Sequence, residues 1–106
     1  MSAAPAPHYV ILSAKPGIFH TEIGADTLAV ECYDYLFHGR VRARFVIAQL
    51  LRETRIRVVD EAQPPTVSQV PSKLLKKYDS VGEARRDLEL LVKPELQGTE
   101  LLRIDA

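Results

Sequence analysis

Hydrophobic and polar residues alternate with a period of two along much of the N-terminal half of the chain. The clearest stretch is Arg40–Leu51, RVRARFVIAQLL, in which charged and apolar side chains alternate. This alternation is typical of strands that bury one face. Two β-forming runs precede it, HYVILSA at His8–Ala14 and TLAVECYDYLF at Thr27–Phe37, and RIRVVDE follows from Arg55. The pattern predicts a run of antiparallel strands from Tyr9 to Glu61.

Turn-forming residues separate these runs. His38-Gly39 between two β-forming runs is typical of a two-residue hairpin turn. Lys15-Pro16-Gly17 ends the first run, and Arg52-Glu53-Thr54 predicts a second tight reversal. The segment from Ala62 to Pro71 carries three prolines, which cannot donate to a β-ladder. We therefore expect it to cross the domain in extended form and not to be a central strand.

The period changes to that of a helix after Asp79. Ser80 and Glu83 have the spacing of a capping box, and Pro94 ends the pattern. Between them, apolar residues fall on one helical stripe: Val81, Ala84, Leu88, Leu91 and Val92. We predict a helix from about Val81 to Lys93 that buries Ala84, Leu88 and Leu91 against the sheet, after a short helical turn within Lys73–Tyr78.

These elements predict an α+β fold, in which a small antiparallel β-sheet of four to five strands, arranged as a meander, carries one amphipathic helix on one face. TELLRID, from Thr99 to Asp105, has the composition of a closing strand. Met1–Pro7 is expected to be a disordered N-terminal tail, and residues 8–106 a single domain. A length of 106 residues with 46% hydrophobic composition is ordinary for one domain.

A two-residue turn at His38-Gly39 determines which side chains face each other. Counting outward from the turn, Tyr35 faces Arg42 and Tyr33 faces Arg44. Continuing the count through the second reversal places two more arginines on the same side. The other face is expected to be the core side against the helix, although Asp34 fits poorly there; it carries Leu36, Phe45, Ile47, Ile56 and Val58. The predicted partner-binding face consists of Tyr33, Tyr35, Arg40, Arg42, Arg44, Arg55 and Arg57. Tyrosine and arginine are enriched at binding hot spots, although arginine stems lying over tyrosine rings can also form a merely solvated face.

Charge and hydropathy exclude some classes of function. The 14 basic and 14 acidic side chains give a formal charge of zero, which argues against a dedicated nucleic-acid binder. No apolar run approaches the roughly 18 residues of a membrane helix. Cys32 is the only cysteine, so we expect a reducing, cytoplasmic location and an unreactive thiol on the core face.

Catalytic and metal-binding motifs are not evident. His8, His20 and His38 lack the spacing of a zinc site. Cys32 and His38 are separated by roughly 20 Å along an extended strand, too far for a nucleophile and its base. We therefore assign no catalytic residue, no metal and no cofactor.

Three hypotheses for function follow. The first is a small non-catalytic cytosolic protein that acts through protein–protein contact, as an accessory subunit or adaptor, or by forming a homo-oligomer. The second is a binder of an anionic small molecule or single-stranded nucleic acid through the arginine and tyrosine face. The third is a small enzyme whose site forms only in the fold or between subunits.

Overall fold

The computed structural model describes residues 8–92 and 97–104, with the backbone alone at Val92. Within these residues the chain forms seven strands, one 3-10 turn and one α-helix. In chain order they are β1 (His8–Ala14), β2 (Phe19–Thr21), β3 (Thr27–Phe37), β4 (Arg40–Leu50), β5 (Arg55–Asp60), β6 (Thr66–Pro71), the 3-10 turn (Ser72–Leu74), α1 (Val81–Val92) and β7 (Thr99–Arg103). The predicted tail, Met1–Pro7, and the predicted helix end at Lys93 lie outside the described residues.

The α+β class, with antiparallel strands and one helix packed on a sheet, is confirmed. Four strands form the first sheet, in the order β1-β4-β3-β7. The predicted closing strand is β7, which pairs with β3 from Phe37↔Thr99 to Tyr33↔Arg103. The other three strands form a second antiparallel sheet, in the order β2-β5-β6, that the sequence pattern does not predict.

One prediction about this second sheet was wrong, and another was right in part. The reversal after β4 does not pair β4 with β5, because β5 pairs with β2 and β6 instead. The proline-rich segment is extended and is not a central strand, as predicted, but it turns back to pair with β5 as edge strand β6 (Thr66–Pro71) instead of crossing the domain. Pro64 and Pro65 precede that strand and Pro71 ends it, so no proline interrupts its interior. Because β6 is an edge strand of the described sheet, only the backbone N–H groups that face β5 have to donate hydrogen bonds.

The first sheet is packed on both faces. On one face, α1 and the segment before it bury Tyr33, Ile47, Tyr78, Ala84 and Leu88. On the other face, the second sheet contributes Ile56 to a cluster with Val10, Leu12, Ala48 and Leu50, all from β1 and β4. The sheet is therefore the middle layer between the helix and the second sheet along β1 and β4.

The helix begins as the sequence predicts. Ser80 Oγ accepts a hydrogen bond from the backbone N–H of Glu83 at 3.1 Å, and the Glu83 carboxylate accepts one from the N–H of Asp79 at 3.0 Å. Ala84 and Leu88 are buried as expected, but Leu91 is 61% exposed and the prediction for it was wrong. Leu91 lies nearly one turn beyond Leu88, where it lines an open pocket instead of the core.

The hairpin turn is confirmed, but the register beyond it is not. His38 and Gly39 have positive φ angles of 51° and 78°, and Phe37 faces Arg40 as predicted. Arg42 is then an extra residue, a β-bulge, because Leu36 pairs with Val41 and Tyr35 with Ala43. A bulge shifts every later pair by one residue.

The shifted register moves both tyrosines from their predicted partners. Tyr33 faces Phe45, Tyr35 faces Ala43, and Arg44 faces Asp34. Phe45 and Ile47 lie on the helix side as predicted, but Tyr33 joins them there and is 6% exposed. Cys32 faces Val46 on the opposite side of the sheet and is half-buried.

Candidate functional site

The bulge at Arg42 and the second sheet disperse the predicted partner-binding face. Tyr33 is buried under α1, whereas Arg44 lies on the other side of the sheet opposite Asp34. Arg40 is exposed at the start of β4. Arg55 and Arg57 belong to the second sheet. Of the predicted residues, Tyr35 and Arg42 line one pocket, and Arg55 and Arg57 line another on the second sheet.

Two of the predicted arginines form ion pairs within the molecule. Arg44 donates two hydrogen bonds to the Asp34 carboxylate, at 2.7 and 3.3 Å, and this pair raises the pKa of Arg44. Arg57 Nε lies 3.0 Å from Glu22 Oε1. These carboxylates balance the charge of Arg44 and Arg57, so both arginines attract an anionic partner less than an arginine without such a neighbour does.

Tyr33 belongs to a buried ionic network and is not available to a partner. Its hydroxyl donates to Glu31 Oε1 at 2.6 Å, and Arg85 of α1 donates from Nε to the same oxygen at 3.0 Å. Burial first, and the Glu31 carboxylate next, raise the pKa of Tyr33. Since Glu31 is 5% exposed, the network connects the helix to the sheet inside the protein.

An open pocket of about 410 Å³ lies beside the C-terminal end of α1. Its described lining comes from the turn after β1, from β3, from β4 and from the helix: Lys15, Ile18, Tyr35, Arg42, Ala43, Phe45 and Leu91. Ala43 on β4 pairs with Tyr35 on β3. Along the other edge of β4 runs β1, and Lys15 comes directly after its last pair, Ala14↔Arg44. The small Ala43 side chain therefore leaves a depression between a lysine and a tyrosine.

The pocket combines positive charge with apolar walls. Neither Lys15 nor Arg42 has a carboxylate within 4.0 Å among residues 8–92 and 97–104, and both are exposed. The Arg42 guanidinium lies over the Phe37 ring, 5.6 Å from its centroid. A cation–π contact of this kind orients the guanidinium without neutralising it. The pocket is therefore suited to a ligand that carries both a negative charge and apolar surface.

The described lining consists of two cationic side chains, a tyrosine and apolar side chains. It contains no histidine, cysteine, aspartate or glutamate, which are the usual general bases and metal ligands. Elsewhere in the described chain, no three of these residues are placed to hold a metal ion. His20 is instead near two carboxylates, Glu22 at 3.8 Å and Glu61 at 3.4 Å. No helix of the described residues is long and apolar enough to cross a bilayer.

Sequence reasoning missed most of this pocket. The sequence pattern predicts Lys15 in a turn and Phe45 and Leu91 in the core, and it assigns no role to Ile18. The missing information is tertiary, because residues 15–18, 35–45 and 91 meet only after the helix has packed across the sheet. A lysine next to the Pro16-Gly17 turn is the one further signal in the sequence.

Known proteins add no information about this site. A scan against protein-family models, a search of curated proteins and a search of solved structures each returned no match.

Proposed function

We propose that this chain is a non-catalytic binding protein, an accessory subunit or adaptor, that contacts a partner protein around the pocket beside the end of α1. The observation that carries the proposal is the apolar rim of this pocket. Ile18 and Leu91 are large aliphatic side chains that line the pocket and remain 59% and 61% exposed. Exposed aliphatic groups beside aromatic walls are typical of protein contact sites. Cytoplasmic location is part of the proposal and depends on the single cysteine.

A macromolecular partner fits the rim better than a small ligand does. A molecule that fills the depression over Ala43 would leave the outer surfaces of Ile18 and Leu91 in water. A protein surface would cover them, and each aliphatic side chain that is fully buried contributes roughly 1.5 to 3 kcal/mol. Tyr35, Phe45 and Arg42 supply the aromatic and arginine anchors that dominate such contacts.

A second candidate is the binding of an anionic small molecule in the same pocket. It is favoured by the two cations, Lys15 and Arg42, which have no carboxylate partner among the described residues. Single-stranded nucleic acid is less well supported, because Arg44 and Arg57 are engaged by carboxylates. A phosphate backbone needs a longer track of cations than two side chains.

The test is capture of a partner by the tagged full chain from an extract of its source cell. Ile18→Glu and Leu91→Glu should each abolish the captured band, because a carboxylate at the rim cannot be desolvated against an apolar surface. Leu74→Glu is the matched control, since Leu74 is 71% exposed and does not line this pocket. All three variants should retain the melting temperature of the wild type. Capture that survives both rim substitutions would refute the proposal.

A further inference from the structure

We infer that the partner segment bound by this pocket is an acidic, hydrophobic peptide, whose carboxylate lies between Lys15 and Arg42 and whose apolar side chain lies over Ala43 against Phe45. This inference rests on the proposed function and specifies the chemistry of the ligand. It follows from two independent properties of the pocket: two cations without a carboxylate partner among the described residues, and a small, apolar floor.

The two cations of the pocket, Lys15 and Arg42, have no carboxylate within 4.0 Å in the part of the chain that the structure describes. Four other arginines each have a carboxylate within 3.0 Å: Arg44, Arg52, Arg57 and Arg85. Arg40, Arg55 and Arg86 also have none within 4.0 Å among the described residues, but they do not line this pocket. Because Lys15 and Arg42 both line it, an anionic group in the pocket lies near two cations. The ligand that best matches this site carries at least one negative charge.

The floor and the size of the pocket suit an apolar side chain. Ala43 is buried, and Phe45 and Tyr35 are half-buried, so these side chains present carbon surface to the depression. About 410 Å³ is near the lower end of the range for ligand pockets, which is room for one or two large side chains of a peptide. A carboxylate beside an aliphatic or aromatic group satisfies both the cations and the walls.

A peptide is favoured over a phosphorylated or polyanionic ligand. Phosphate groups are bound best by several converging donors, including backbone N–H groups, whereas here two side chains stand among apolar walls. The exposed rim of Ile18 and Leu91 also continues the apolar surface beyond the depression, which suits an extended chain more than a compact ligand.

The experiment measures fluorescence anisotropy of a labelled short peptide with a central Leu-Phe pair flanked by glutamates, using the full chain. Wild type should bind, and binding should weaken about tenfold or more in Lys15→Glu, Arg42→Glu and the milder Arg42→Gln. Arg86→Glu is the matched control, because Arg86 is exposed on α1, does not line the pocket, and undergoes the same change of charge. Melting temperatures check that each variant is folded.

Two further peptides separate the parts of the inference. Replacing the glutamates by lysine should remove binding, and so should replacing Leu-Phe by serines. Equal binding of the lysine peptide, or an unchanged affinity in Arg42→Glu, would overturn the inference. So would a fatty acid or inorganic phosphate that binds with the same dependence on Lys15 and Arg42 while the peptide does not.

Failure of the inference can be told apart from failure of the proposed function. If no acidic peptide binds but partner capture still depends on Ile18 and Leu91, the ligand class is wrong and protein contact stands. If capture is also insensitive to both rim residues, the pocket is not a contact site and both proposals fall.

Discussion

Arg85 of α1 forms a bidentate ion pair with the carboxylate of Glu31 on β3: its Nε donates to Oε1 at 3.0 Å and a terminal nitrogen donates to Oε2. Glu31 follows Val30, the extra residue of a second β-bulge, because Ala29 pairs with Ala48 and Glu31 with Ile47. The bulge brings Glu31 to the side of the sheet that α1 covers. A charge in this buried position is stable only with its partners in place.

We first predict that Glu31→Gln destabilises the fold and removes part of its acid sensitivity. Hydrogen bonds from Arg85, acting against burial, hold the pKa of Glu31 below its ordinary value of 4.5. A lowered pKa in the folded state contributes stability that is present above the unfolded value and is lost as pH falls through the folded value. The substitution should reduce the free energy of unfolding by about 1 to 3 kcal/mol near neutral pH.

Urea denaturation at a series of pH values checks this prediction. The difference in the free energy of unfolding between wild type and Glu31→Gln should decrease as the pH falls below the ordinary value of 4.5 and through the lower pKa of the folded state. Glu89→Gln, at an exposed position of α1, is the control and should follow the wild type throughout. If the difference in unfolding free energy between wild type and Glu31→Gln stays constant from neutral to acidic pH, the charge on Glu31 is not what stabilises the helix against the sheet.

The tip of the hairpin yields a second prediction. Gly98 precedes β7, has a φ angle of +86°, and its carbonyl accepts a hydrogen bond from the His38 N–H at 2.8 Å. A Cβ at residue 98 would lie 2.5 Å from Cε1 of His38. Gly98→Ala should therefore destabilise the protein by about 1 to 3 kcal/mol, through backbone strain and this clash.

Thermal unfolding of a small set of variants separates the two causes. Adding His38→Asn to Gly98→Ala should recover part of the loss, because asparagine tolerates positive φ and is smaller than histidine, while the strain at residue 98 remains. Gly24→Ala is the control, since a Cβ there meets nothing within 4 Å. Equal melting temperatures for Gly98→Ala and Gly24→Ala would contradict the prediction.

The elements of this fold were predictable because each has a local cause. The β-forming runs give β1, β3 and β4, the Ser80 and Glu83 capping box gives the start of α1, and the turn at His38-Gly39 gives the hairpin. The β-bulges were not predictable, since nothing in the local pattern distinguishes Arg42 or Val30 from a paired residue. Because the candidate site was counted from the turn, one bulge sufficed to move Tyr33 into the core.

The second sheet was missed for a different reason. Strand β2 has three residues, too few for a periodic signal, and β5 alternates in the same way whether it pairs with β4 or with β6. The face of Asp34 on β3 was also predicted wrongly. The predicted register puts this carboxylate in the core that faces the helix, where it would fit poorly, whereas in the structure it lies on the other face, opposite Arg44.

A third prediction compares two leucines of α1. Leu88 is 1% exposed, so Leu88→Ala should reduce the free energy of unfolding by about 2 to 5 kcal/mol. Leu91, at 61% exposure, lines the pocket, and Leu91→Ala should change it by less than about 0.5 kcal/mol. Denaturant titration of both variants tests the pair. Similar losses for the two would mean that the end of the helix is part of the core.

The last prediction concerns alkaline pH and Tyr78. Its backbone forms two hydrogen bonds with Tyr9 on β1, at 2.8 and 2.9 Å, and its hydroxyl donates to Asp87 Oδ2 at 2.7 Å. Burial first, and then the Asp87 carboxylate, raise the pKa of Tyr78 to about 12. The same hydrogen bond lowers the pKa of Asp87.

A pKa that is raised in the folded state above the ordinary value of 10.0 means that neutral Tyr78 stabilises the fold fully below about pH 10. This contribution should be lost as pH rises toward 12, so wild type should lose more stability over that interval than Tyr78→Phe, which keeps the ring. Near-ultraviolet absorbance should show one late-ionising tyrosine fewer in Tyr78→Phe. Asp87→Asn should move that late ionisation to lower pH without removing it, because burial remains. A tyrosine that ionises near pH 10 and disappears in Tyr78→Phe would refute the assignment.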